Sequence, residues 1–256
     1  QPEPGLMAPP APAGAQTLQR DVSTGTNYYL YLPPGHGSAA ALWPLLLCLH
    51  GAGETGRDPR QLLEEGATGL PVNRIAAVTS ASGAGLGDTP ISLLRNFVVV
   101  SPQTDHGWKA RELAALTQSL TEQAHLKIDP QRRYVTGVSM GGAGTISAAA
   151  TGLFAAAVPV CAAGGDAGSI DDSIAVWLFH GANDVIVGSE YSDDAHLTLQ
   201  KKRKSNPRAA DLKYTRYERA PAPVGWPSYD GHASWIPAYA TAELYSWLLQ
   251  QGSVTV

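Results

Sequence analysis

The sequence predicts an α/β fold, a mostly parallel central sheet with helices on both faces. Short apolar runs alternate with helix-period segments along the chain, the order expected of parallel strands joined by helical crossovers. The middle runs are continuously apolar rather than alternating, as strands covered on both faces must be. The 27 glycines and 19 prolines supply many turns without any collagen-like period. A chain of 256 residues is long enough to bury one such core, and it shows no internal repeat or linker.

Residues 1–16 carry five prolines and no periodicity, so they are expected to form a flexible lead-in, with one domain over 17–256. Strand candidates follow at Tyr28–Leu32, Leu45–His50, Phe97–Ser101, Arg133–Gly137, Ala157–Cys161 and Ala175–His180, with Lys213–Tyr217 as a last alternating run. Pro159 cannot donate to a ladder, which predicts a short strand there. Leu113, Leu116, Leu120 and Ala124 share one helical face before an Asp129-Pro130 stop. Residues 140–152 are small and suited to close packing on a sheet, and a final helix is expected over about 237–251. Lys201-Lys202-Arg203-Lys204 reads as a solvated basic helix end.

Composition narrows the function classes. A content of 44% hydrophobic and 16% charged residues excludes a disordered chain, and no apolar run approaches the length of a membrane span. The net charge of −4 does not suggest a nucleic-acid surface. Cys48 and Cys161 lie in apolar runs and read as buried, inert thiols. No signal peptide is legible, so compartment and oligomeric state stay open, a processed secreted form included.

The chemistry concentrates at turns that follow strands. Gly137-Val138-Ser139-Met140-Gly141 places a serine between two glycines, directly after a strand and before an Ala-rich helix. That pattern suits a sharp turn holding the hydroxyl out at the sheet edge, which makes Ser139 the candidate nucleophile. A serine needs a base, and the base an orienting acid. Asp184 lies just past a strand, where an acid belongs; Asp171 and Asp172 precede that strand, Asp193 and Asp194 sit on a helix, and Asp230 adjoins the candidate base. Of the two later histidines, His196 falls in a polar helix and His232 in a glycine-containing loop, so His232 is the candidate base.

His50-Gly51-Ala52-Gly53-Glu54-Thr55-Gly56 contains a formal G-x-G-x-x-G, yet no acidic residue ends a following strand about 20 residues on, as nucleotide binding requires. It reads instead as a turn that offers the Ala52 N–H, together with the Met140 N–H, to an oxyanion, while His50 bonds to the loop. Trp108, Trp226 and Trp235 are candidate substrate contacts. Three prolines in Ala220–Tyr229 predict a fixed wall rather than a lid, with Trp226 either facing substrate or packing on the body.

Taken together, these residues resemble the α/β-hydrolase superfamily, and within it the group described as predicted peptidases, phospholipase/carboxylesterases or dienelactone-hydrolase-like esterases. The resemblance runs from about Tyr28 to Gln251. It includes Tyr31-Leu32-Pro33, Leu49–Glu54, Ser101-Pro102-Gln103, Ile128-Asp129-Pro130, Gly137–Gly142, Phe154–Cys161, Gly164-Gly165-Asp166, Phe179–Asp184, and His232-Ala233-Ser234-Trp235 with Tyr239. It implies a sheet of about eight strands, a Ser139–His232–Asp184 triad, no cofactor and no metal, and a small-molecule ester as substrate. Ala220–Tyr229 departs from the group's pattern as an insertion. A serine peptidase or amidase on the same triad, and a non-catalytic ligand-binding protein, are the rival readings.

Overall fold

The computed structural model describes residues 13–38, 41–63, 71–79, 90–223 and 225–252. Most of the proline-rich lead-in and Val224 of the predicted wall lie outside the described residues.

Eight strands form one sheet in the order β1-β2-β4-β3-β5-β6-β7-β8. They are β1 (Gln16–Arg20), β2 (Asn27–Tyr31), β3 (Trp43–Leu49), β4 (Val98–Pro102), β5 (Ile128–Val138), β6 (Ala156–Val160), β7 (Ala175–Gly181) and β8 (Leu212–Tyr217). The β1–β2 and β2–β4 pairs are antiparallel and the rest parallel. Seven of the strands overlap the predicted runs, and β1 does not. Its sequence, QTLQR, has a single apolar residue, Leu18, which is itself exposed, so an edge strand of this kind leaves no hydrophobic pattern. Gln16, expected in the lead-in, is its first residue and pairs with Tyr31.

Helices cover both faces: α1 (Pro71–Thr79), α2 (Ile91–Asn96), α3 (Ala110–Glu122), α4 (Met140–Ala149), α5 (Glu190–Arg203), α6 (Trp235–Ala240) and α7 (Ala242–Leu249). One core joins Val72, Ile75, Leu93, Tyr239 and Leu248 to the sheet, and the other joins Leu113, Leu116, Ile146 and Leu199. The α3 face stops at Leu120. Ala124 lies beyond the helix end and is exposed, because the chain turns there and passes through Lys127 in the left-handed region. The single predicted C-terminal helix is two helices, since Thr241 adopts an extended ψ of 108° between them.

One local expectation is met, a short β6 of five residues, and one changes. Pro159 sits in an inner strand opposite Gly137, and the β6–β7 register pairs Ala156, Ala157 and Val160 but skips 158–159. The missing donor therefore costs the ladder one local bond rather than the strand. The basic run is not simply solvated. Arg203 is buried and donates to the carbonyls of Ile174, Ala210 and Asp211, while Lys202 reaches the carbonyls of Gly168 and Ile170. These cations tie the end of α5 to the segments that lead into β7 and β8.

Candidate active site

The C-terminal ends of β3, β5, β6 and β7 open onto one edge of the sheet, the side on which parallel α/β sheets bind ligands. Ser139 is the residue between β5 and α4. Its backbone has φ 54° and ψ −115°, an uncommon conformation for a residue with a side chain. Three hydrogen bonds hold it: its N–H donates to Val160 O at 3.0 Å, and its carbonyl accepts from Ala143 and Ala163. The turn also needs Gly141, because a Cβ there would collide with the carbonyls of Leu49 and His50 at the end of β3.

Asp184 follows β7 in a tight turn and is buried. Its Oδ1 accepts the N–H groups of Ile186 and Val187, both at 2.9 Å. Its Oδ2 accepts from His232 Nδ1 at 2.7 Å and lies 3.2 Å from His180 Nε2. Burial pushes the carboxyl upward, but the hydrogen bonds from His180, His232 and the Val187 N–H outweigh it and hold the group well below the usual carboxylate range. His232 is brought there by Gly231, at φ +86°, where a Cβ would strike the Asn183 carbonyl and whose N–H is tied to Ala220 O at 2.7 Å. The structure thus joins Asp184 to His232 and stands Ser139 beyond a neighbouring strand end. Cys161 is buried just past β6, the strand between them, and its backbone N–H donates to Phe179 O at 2.8 Å. Burial pushes its thiol and that of Cys48 upward.

Neither the Ala52 N–H nor the Met140 N–H has an acceptor among the described residues. Met140 opens α4, so its N–H is one of the free donors at a helix start. Ala52 is oriented through His50. The Gly51 carbonyl is an acceptor and the Thr104 N–H a donor, so His50 carries its proton on Nδ1, donating to Gly51 O at 2.7 Å, and accepts at Nε2 from Thr104 at 3.1 Å. In a trans peptide, C=O and N–H point opposite ways, so drawing the Gly51 carbonyl toward the ring turns the Ala52 N–H away from it. The segment continues as a 3-10 turn over Ala52–Glu54, not as the long helix of a nucleotide site.

Burial lowers the His50 pKa to about 4, against the raising effect of its bond to Gly51. The folded protein thus keeps this ring neutral where the unfolded chain takes up a proton. The stability His50 contributes is complete above about pH 6.5 and is lost as pH falls toward 4. The advantage of wild type over His50→Gln in urea unfolding is therefore expected to shrink by about 1.4 kcal/mol per pH unit across that window. An advantage independent of pH would mean that the ring titrates alike in both states.

The three tryptophans separate. Trp235 is 1% exposed and lies edge-on to the His232 ring at 5.4 Å, so as a substrate contact it is corrected: it is core that props the imidazole. Trp108 donates from Nε1 to His50 O at 3.0 Å and packs on Gly144. Its other side lines a cleft of about 900 Å³ with Arg20, Arg57, Gln103 and Arg111, which Ser139, Asp184 and His232 do not line. Trp226 remains 39% exposed and packs on Tyr229 at 5.7 Å, which in turn packs against His232 at 6.1 Å. The wall is anchored at both ends, by Ala220 N–H on Asn183 Oδ1 and by a 3-10 turn over Pro227–Tyr229. His180 had no role in the sequence reading, and only its place one residue before the glycine that ends β7 hints at one.

No family model and no curated protein matches the sequence. Among solved structures, the chain superposes on a thermostable esterase with a TM-score of 0.69 at 29% identity, over 93% of this chain and 63% of that one. It superposes on a Mycobacterium tuberculosis puromycin-hydrolyzing peptidase with a TM-score of 0.60 at 20% identity, over 96% and 41% of the two chains. For Thermogutta terrifontis esterase 2 the TM-score is 0.56 at 15% identity, over 96% and 97%. The chain spans less than two thirds of the first two proteins. Its fold is the α/β-hydrolase fold. In that fold it is similar to esterases and peptidases. Among the described residues, no helix is long and apolar enough to cross a membrane.

Proposed function

We propose that the protein is a serine hydrolase that cleaves carboxylic esters of small molecules through an acyl-enzyme. The observation that carries this reading is the buried Asp184–His232 pair at the sheet edge that also presents Ser139 in its strained turn. Ser139 Oγ attacks the acyl carbon, and its proton passes to His232 Nε2 while Nδ1–H stays on Asp184. The N–H groups of Ala52 and Met140 receive the developing oxyanion, at about 3–4 kcal/mol each. Collapse expels the alcohol, protonated by His232, and water attacks the acyl-enzyme by the same route. Helix α4 aims its positive end at this charge, which favours every anionic step. The reading needs no cofactor.

Val185 and Ile186, exposed beside Asp184, and Trp226 near His232 offer apolar surface, which supports short acyl or aryl groups, the feruloyl type among them. A chromogenic panel tests both levels. Nitrophenyl acetate and butyrate are expected to turn over at least about 100-fold faster than the matching anilide, whose leaving group demands protonation. Faster cleavage of the anilide would favour a peptidase. In the same panel, Trp226→Ala is expected to change the kcat/KM ratio of a bulky aryl ester to acetate by about tenfold, with little change in Tm. An unchanged ratio with a large drop in Tm would leave Trp226 a packing residue.

A further inference from the structure

The proton network around Asp184 does not end at His232. His180, the sixth residue of β7, is fully buried, and its Nε2 lies 3.0 Å from Val187 O and 3.2 Å from Asp184 Oδ2. Both neighbours are acceptors, so Nε2 must carry the proton. Nδ1 is then the lone-pair nitrogen, and it lies 2.7 Å from Ser192 Oγ, whose hydroxyl hydrogen satisfies it. Ser192 is buried on α5 and fixes the tautomer from the far side. The Nε2–H donates to Val187 O and stands 3.2 Å from the Asp184 oxygen that accepts from His232, so a second imidazole N–H faces that charge.

We propose that His180 is a positioning residue for the acid: its Nε2–H, held by Ser192, shares the Asp184 carboxylate and limits how strongly that carboxylate draws a proton onto His232. This rests on the reading of Ser139, His232 and Asp184 as the reacting set. The consequence has a definite sign. A carboxylate relieved of one donor stabilises a neighbouring imidazolium more, so removing the His180 donor makes His232 harder to deprotonate. The other groups facing this network are few. Cys161 is buried just past β6, Asp230 is paired with Arg219 and Asn183, and Arg216 binds Ser189 and Asp193 beside Ser192. All of them stay unchanged when His180 is altered.

The test compares His180→Leu, His180→Gln and Ser192→Ala with wild type, following kcat/KM against pH and, without substrate, the pH midpoint of the low-field proton resonance of His232 Nδ1. In His180→Leu both midpoints are expected to rise by about 0.5–1 pH unit, and plateau kcat to fall about tenfold with KM within twofold. His180→Gln keeps an N–H at the Nε2 position and is expected to restore the wild-type midpoints. Ser192→Ala frees the tautomer and is expected to shift them in the same direction by less. A folded His180→Leu with wild-type midpoints overturns the proposal, as does His180→Gln behaving like His180→Leu. If His180→Leu does not fold, unchanged midpoints in Ser192→Ala overturn it. Should Ser139→Ala retain full ester turnover, the hydrolase reading falls, while the resonance midpoints still decide the role of His180.

Discussion

Ser139→Ala is expected to lower ester turnover by roughly 10⁴–10⁶ while leaving Tm close to wild type, because it removes the covalent step and little packing. Ser139 is half-buried and its hydroxyl makes no hydrogen bond among the described residues, whereas its backbone makes three that alanine retains. Alanine must still adopt a φ of 54°, a strain the serine already bears. Single-turnover assays with a nitrophenyl ester check the loss, and thermal unfolding checks the fold. Turnover near wild type would end the nucleophile assignment and favour a ligand-binding protein that keeps the fold.

Asp184→Asn is expected to cost about 10⁴ in kcat, less than the loss of Ser139 or His232. The amide oxygen can still accept from Ile186 and Val187, which leaves the amide NH₂ where Oδ2 was. There it meets His232 Nδ1, which donates to Asp184 in the wild type, and the His180 Nε2–H, 3.2 Å away and bonded to Val187 O. His232 answers by moving its proton to Nε2, the nitrogen that must accept from Ser139, so the base is lost with the geometry intact. His180 is left donor against donor, and a drop in Tm is expected alongside the loss of rate. A pH–rate profile checks the mechanism: raising the pH until hydroxide competes as base should recover part of the rate. A fully active Asp184→Asn would remove Asp184 from the mechanism.

The parts of this molecule legible in sequence are those whose physics is local. Strands β2–β7 are written as apolar runs because both faces of the sheet are covered and β8 as an alternating run at the far edge, while β1, an edge strand with one apolar side chain, has no such pattern. The turn at Ser139 is legible because its glycine-serine-glycine pattern spans five residues after a strand, although the crowding that demands Gly141 comes from the end of β3. Asp184 and His232 are legible by their places after β7 and in the last loop, and their meeting is a matter of the fold. Trp235 misleads because nearness in sequence to His232 does not say which face of α6 is buried. Arg203 misleads for the same reason: a basic run looks solvated until β7 and β8 bring three carbonyls to it. His180 was missed because its contact with Asp184 exists only once the turn folds the carboxylate back over the strand end.

The strand order has a consequence for how this molecule tolerates change. Ser139 and Asp184 extend from β5 and β7, with β6 alone between them. Their separation is therefore about two ladder spacings, roughly 9–10 Å, set by main-chain bonding rather than by any loop. The sheet acts as a gauge block, and the histidine is lowered onto it by a segment tied from Ala220 to Gly231 and Asn183 and packed on the ring through Tyr229. Substitutions at 221–226 are expected to leave the gauge unmoved. What that segment presents can then vary while the backbone keeps the distance between Ser139 and Asp184 fixed.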